Sequence, residues 1–180
     1  MTIDVFHLIL VAHIHIYILY MQVGQGLRVK IANFGLSYDK HSQEYCCLSS
    51  RKSTPLPLRW LAPETVQHNK MSVYTDIWSF GVLLWEVFSS GQRPYGDLTN
   101  AQVVQNILGF KPLPRPSNCP RGVYNLMLQC WNKVPLKRPW FSKLMEELKQ
   151  VTSNLDPEDI KMLEASGKTP DLLRREHYFS

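Results

Sequence analysis

Leu58-Arg59-Trp60-Leu61-Ala62-Pro63-Glu64, followed by Asp76-Ile77-Trp78-Ser79-Phe80-Gly81, is the text that decides the fold of this 180-residue chain. The second run lies in a predicted helix over 75–89 whose apolar residues (Ile77, Trp78, Phe80, Val82, Leu83, Leu84, Trp85, Val87, Phe88) leave no polar face. A helix without a polar face belongs in the middle of a core. Gly91 supplies its stop. Working outward, an amphipathic helix is expected over 100–108 with Thr99 as its cap. A second follows Pro120 over 121–131, and a third over 141–151 is apolar at Phe141, Leu144, Met145 and Leu148. The linker from Lys111 to Pro120 carries four prolines. Upstream, 27–32 alternates apolar and basic residues as a strand does, behind a turn at Gly24-Gln25-Gly26. That Gly-x-Gly is read as a hairpin turn and not as a phosphate loop, because no third glycine and no helix follow. Residues 36–57 are polar and read as a long loop, a length that usually signals function. The expected fold class is mainly α with a small β-hairpin.

Composition narrows the classes further. With 44% hydrophobic and 19% charged residues, the chain suits one compact soluble domain. The net charge of +5 comes from scattered Lys and Arg, without the basic cluster of a nucleic-acid footprint. Cys46, Cys47, Cys119 and Cys130 form no Cys-x-x-Cys pair and no disulfide framework, so reduced thiols in a cytosolic setting are expected.

The amino terminus differs from the rest. Val5 to Met21 is apolar and aromatic, interrupted only by His7, His13 and His15. It falls short of the ~20 residues a transmembrane helix wants, and it shows neither the basic start nor the cleavage site of a signal peptide. A β-rich apolar segment or an incorrect gene model fits this text. His13-x-His15 places two imidazoles on one face of a strand, but no third ligand stands at metal-site spacing, and no metal site is assigned.

The spaced motifs, taken together, resemble a known family. Asn33-Phe34-Gly35, Leu58 to Glu64, Asp76 to Gly81, and Cys130-Trp131 before Arg138-Pro139 occur in the order found in the carboxy-terminal lobe of a protein kinase. Pro57-Leu58-Arg59-Trp60 before Ala62-Pro63-Glu64 is similar to tyrosine kinases, with the neurotrophin, Ror, discoidin-domain and related pseudokinase receptors all close. The resemblance covers residues 24–151. It leaves 1–23 as an apolar His-containing segment outside the kinase text and 152–180 as a polar tail expected to be mobile. It implies that the amino-terminal lobe is absent, that Pro57, Leu58, Arg59 and Trp60 shape the substrate-positioning shelf, and that Glu64 and Arg138 form a buried ion pair. It also implies that Asp76 accepts backbone N–H groups of the catalytic loop.

Residue by residue, the same resemblance puts the catalytic positions in doubt. Where the family writes Asp-Phe-Gly for nucleotide and magnesium binding, this chain writes Asn33-Phe34-Gly35. Counting back, His13 occupies the histidine of the His-Arg-Asp motif, His15 the catalytic base and Tyr20 the second metal ligand, so no catalytic residue is intact. A unit charge 4 Å from a metal is worth roughly 4 kcal/mol at an effective dielectric near 20, about a thousandfold, and Asn33 forfeits it. Positioning and charge neutralisation supply nearly all of phosphoryl-transfer catalysis. In the long loop, the receptor tyrosine positions read His41, Tyr45 and Cys46, leaving Tyr45 as the one candidate phosphosite.

The resulting expectation is a fragment of a receptor-type protein tyrosine kinase. In the family this means ATP and Mg2+ and phosphorylation of protein tyrosine; for this chain it means doubtful nucleotide binding and no activity alone. The alternatives are a pseudokinase scaffolding module and a truncated gene-model fragment without its own function. Expected partners are proteins, through signalling or kinase heterodimers, with no nucleic acid. A membrane would enter only through an upstream receptor portion, placing the chain in the cytoplasm or on the cytoplasmic side of the plasma membrane.

Overall fold

The computed structural model describes residues 17–23, 26–32, 46–47, 57–155 and 157. The helices begin where the sequence offers caps. Pro63 opens the short helix α1 (Pro63–His68) at a first-turn position whose N–H would be unbonded anyway. Ser72 and Thr75 form a reciprocal capping box at the start of α2 (Val73–Phe88). Thr99 and Gln102 do the same for α3 (Asn100–Leu108). α4 (Arg121–Cys130) starts directly after Pro120, and α5 (Phe141–Ser153) follows. Single 3-10 turns at Leu58–Trp60 and Pro135–Lys137 complete the helical set.

Two small antiparallel pairings accompany these helices. Strand β1 (Tyr17–Val23) runs against β2 (Gly26–Ala32), with Val23 opposite Gly26 and Tyr17 opposite Ala32. A two-residue connection between antiparallel strands is the hairpin expected around Gly24-Gln25-Gly26. The second pairing corrects the reading of 36–57 as unbroken loop. Cys46–Cys47 (β3) is a two-residue strand against Lys70–Met71 (β4), with Cys46 opposite Met71.

α2 is the axis of the core. Ile77, Trp78, Val82, Leu84 and Trp85 are buried along it. They cluster with Val103 and Ile107 of α3, Val123 and Met127 of α4, and Leu144 of α5. α2 packs tightly against the end of α4 at Gly81, where a Cβ would stand 2.7 Å from both Cys130 Cβ and Trp131 Nε1. The stop after α2 differs in detail from the sequence reading. The left-handed residue is Ser90 (φ 67), Gly91 follows it (φ 80), and the Gly91 N–H closes the motif on the Glu86 carbonyl at 2.8 Å.

The proline-rich linker is strapped down rather than loose. Tyr124 Oη donates to the Leu113 carbonyl (2.7 Å), Trp85 Nε1 to that of Pro114 (2.7 Å) and Arg115 Nη1 to that of Cys119 (3.0 Å). Cys119 and Cys130 are buried in the core outside any disulfide, and burial pushes the Cys130 thiol up to about 12, which keeps it protonated and unreactive. Trp78 and Trp131 are core aromatics as their surroundings require. Trp140 is not. It is 55% exposed and lies over Tyr74 with ring centroids 5.5 Å apart. Among the described residues, no helix is long and apolar enough to cross a membrane.

Candidate functional site

The motif residues within the described region gather around α1 and the first turns of α2. Arg138, from the segment before α5, reaches Glu64 in a bidentate pair, Nη1 to Oε1 at 2.6 Å and Nη2 to Oε2 at 3.0 Å. Its side chain is fully buried and that of Glu64 only 13% exposed. Arg138 Nη1 also donates to the Tyr74 carbonyl (2.8 Å) and Nε to that of Asn132 (3.0 Å). The guanidinium stands 5.1 Å from the Trp78 ring centroid. Each nitrogen of this buried cation therefore has a partner, the condition under which such a charge is tolerated.

Asp76 sits in the first turn of α2, where the helix dipole favours a carboxylate. It is nonetheless 6% exposed, and burial pushes its carboxyl well above the usual range. The loop whose N–H groups the sequence assigns to it lies outside the described residues, and no described residue donates a hydrogen bond to its side chain. A raised folded-state pKa stabilises the fold fully below the unfolded value of about 3.9 and withdraws that stability as pH rises through the folded value. Asp76→Asn is therefore expected to raise neutral-pH stability and flatten its decline above about pH 4. Urea unfolding across that range measures this, and an unchanged pH slope in the variant refutes it.

The segment Pro57 to Trp60 is held on two sides. Trp60 Nε1 donates to Glu86 Oε2 at 2.6 Å, and Ser79 Oγ donates to the Trp60 carbonyl at 2.8 Å. Arg59 is buried, with Nη1 on the carbonyls of Pro94 (2.7 Å) and Gly96 (3.2 Å) and Nη2 on that of Leu98 (2.6 Å). Its guanidinium thus props the 94–98 loop, a role the motif did not reveal. Only the loop's Tyr95-Gly96 pair, a turn signal, hinted that a carbonyl-rich bend needed a donor there.

The residues read as chemical positions fall elsewhere. His13, His15, Asn33, Phe34, Gly35, His41 and Tyr45 lie outside the described residues, as does most of the 152–180 tail. Tyr20 lies on β1 opposite Val29. Among the described residues, no group of three or more His, Cys, Asp or Glu side chains could hold a metal ion. Of the residues that the resemblance assigns to metal and nucleotide, only Tyr20 lies among the described residues.

Comparison with known proteins agrees with this skeleton. A family model described as protein tyrosine and serine/threonine kinase matches residues 11–148. Tyrosine-protein kinase FRK of Homo sapiens is 43% identical over 126 residues, covering 70% of this chain and 25% of that protein. The tyrosine-protein kinase transmembrane receptor Ror of Drosophila melanogaster is 42% identical over 127 residues, 71% of this chain and 18% of the receptor. The high affinity nerve growth factor receptor of Rattus norvegicus is 44% identical over 116 residues, 64% of this chain and 14% of the receptor. The chain thus spans a quarter or less of the length of these relatives.

Proposed function

This chain belongs to the protein tyrosine and serine/threonine kinase family, and from that membership we propose that it is the carboxy-terminal lobe of a receptor-type tyrosine kinase, catalytically silent as written and acting through protein partners. One observation carries the reading. Among the described residues Glu64 and Arg138 form a fully bonded buried pair, while the positions that the resemblance assigns to the chemistry carry Asn33, His15 and Tyr20. Selection on a scaffold accounts for that split, because the skeleton serves the fold and the lost residues serve only phosphoryl transfer.

In the family, ATP with Mg2+ supplies the transferred phosphoryl group. Here Asn33 offers a neutral amide where the metal needs a carboxylate, and His15 offers no carboxylate to accept a substrate hydroxyl proton. The segment Pro57 to Trp60 keeps its place beside α2 and suits a surface that receives protein. The proposed setting is the cytoplasm or the cytoplasmic face of the plasma membrane, with signalling proteins or a catalytically competent kinase as partners.

Thermal unfolding of the full chain with and without Mg-ATP tests the proposal. The expected result is no magnesium-dependent rise in Tm, in the native chain and equally in Asn33→Asp, since one restored carboxylate leaves His15 and Tyr20 in place. A magnesium-dependent stabilisation of the native chain would overturn it, because a ligand at a hundred times its Kd adds about 2.7 kcal/mol.

A further inference from the structure

Between the end of α2, the 92–98 loop and the linker after α3 lies a cavity of about 500 Å³ that the kinase motifs do not use. That volume falls within the roughly 300–1,000 Å³ typical of ligand sites. Trp85, Leu98, Leu113 and Pro112 supply apolar wall, and Arg93 and Lys111 bring two exposed cations to it. We propose that this cavity binds an acidic peptide segment of a partner protein, with carboxylates on Arg93 and Lys111 and an apolar side chain against Trp85 and Leu98.

The walls are built, not incidental. Trp85 Nε1 is already bonded to the Pro114 carbonyl, so the indole offers apolar surface rather than an unmet donor. Arg59, buried behind the loop, fixes the carbonyls of Pro94, Gly96 and Leu98 from the rear. Tyr95 (φ 62) and Phe110 (φ 51) hold the two bordering loops in left-handed conformations. Such conformations are unfavourable for an L-residue and persist where surrounding structure imposes them, often at functional sites. The Lys111 N–H is in turn pinned to the Asn106 carbonyl at 3.0 Å, which sets the lysine backbone at the cavity edge.

Charge selects the ligand class. Arg93 and Lys111 are the charged residues that line the cavity, and Asp97 is the single carboxylate on the 92–98 loop. The amides of Gln92 and Asn106 at the same wall suit the backbone groups of an extended peptide. An acidic segment with one aromatic or aliphatic residue satisfies charge, amides and apolar wall together.

The test is fluorescence anisotropy with the full chain and a fluorescein-labelled Glu-Glu-Phe-Glu-Glu peptide, which carries no phosphoacceptor. Saturable binding below about 1 mM is expected, lost with Gln-Gln-Phe-Gln-Gln. Arg93→Ala and Lys111→Ala should each weaken it about tenfold, the equivalent of about 1.4 kcal/mol. Lys133→Ala, which removes an exposed cation away from the cavity, should leave it unchanged. Absence of saturation at about 1 mM, or an equal loss from Lys133→Ala, would overturn the proposal. The proposal rests on residues 85–114 and not on the identities at His15 and Asn33, so its failure leaves the reading of Asn33 intact.

Discussion

Arg138→Ala is expected to cost about 3–5 kcal/mol of stability, a large fraction of the about 5–15 kcal/mol that a typical domain has in total. The magnitude follows from what the substitution strands. The Glu64 carboxylate, 13% exposed, loses both of its guanidinium hydrogen bonds. The carbonyls of Tyr74 and Asn132 lose their Arg138 donors at the same time. Arg138→Lys is the milder test where the alanine variant fails to fold. An ammonium cannot reproduce the planar fork, so one oxygen of Glu64 and at least one carbonyl should go unmet, at a cost of about 1–3 kcal/mol. Glu64→Gln should fall in the same range, because an amide keeps one acceptor and adds a donor facing a cation. Urea unfolding followed by circular dichroism measures all three, and a loss below about 1 kcal/mol for Arg138→Ala would show that the pair contributes little net stability.

How much of this was legible in the text depended on whether the signal was local. The α3 bounds were readable because the Thr99 cap and the apolar spacing of Val103 and Ile107 lie in one short stretch of sequence. α2 begins two residues earlier than its apolar pattern suggested, since the Ser72–Thr75 box that fixes its start is polar. Short elements such as β3 and α1 leave too few residues for a period to show. Arg59 was misjudged in emphasis for a different reason: its partners lie on the 94–98 loop, and nothing near Arg59 in sequence says that a charged side chain there will be buried. The exposure of Trp140 could not be read from its residue type, as an indole can cover a neighbouring ring from outside the core. The reading of Asn33 rests on charge and not on geometry, and the residue lies outside the described ones.

Gly81→Ala is expected to destabilise the chain by about 1–3 kcal/mol although alanine is the better helix former by about 1 kcal/mol. Gly81 lies mid-way along α2, so propensity favours the substitution and packing alone opposes it. The new Cβ would meet Cys130 Cβ and Trp131 Nε1, each at 2.7 Å, well inside contact distance. Gly122 offers a control at the same distance, since its Cβ would meet Val151 Cγ1 at 2.7 Å. The difference is the kind of atom struck. Val151 can be cut back to alanine, which removes both methyls, so Val151→Ala should relieve the clash of Gly122→Ala and the pair should be less than additive. Cys130→Ala removes only the sulfur and keeps the Cβ, so it should add to the cost of Gly81→Ala and rescue nothing. Double-mutant cycles by urea unfolding decide the matter. Rescue of Gly81→Ala by Cys130→Ala would mean that α2 and α4 do not approach at Gly81 as closely as these distances require.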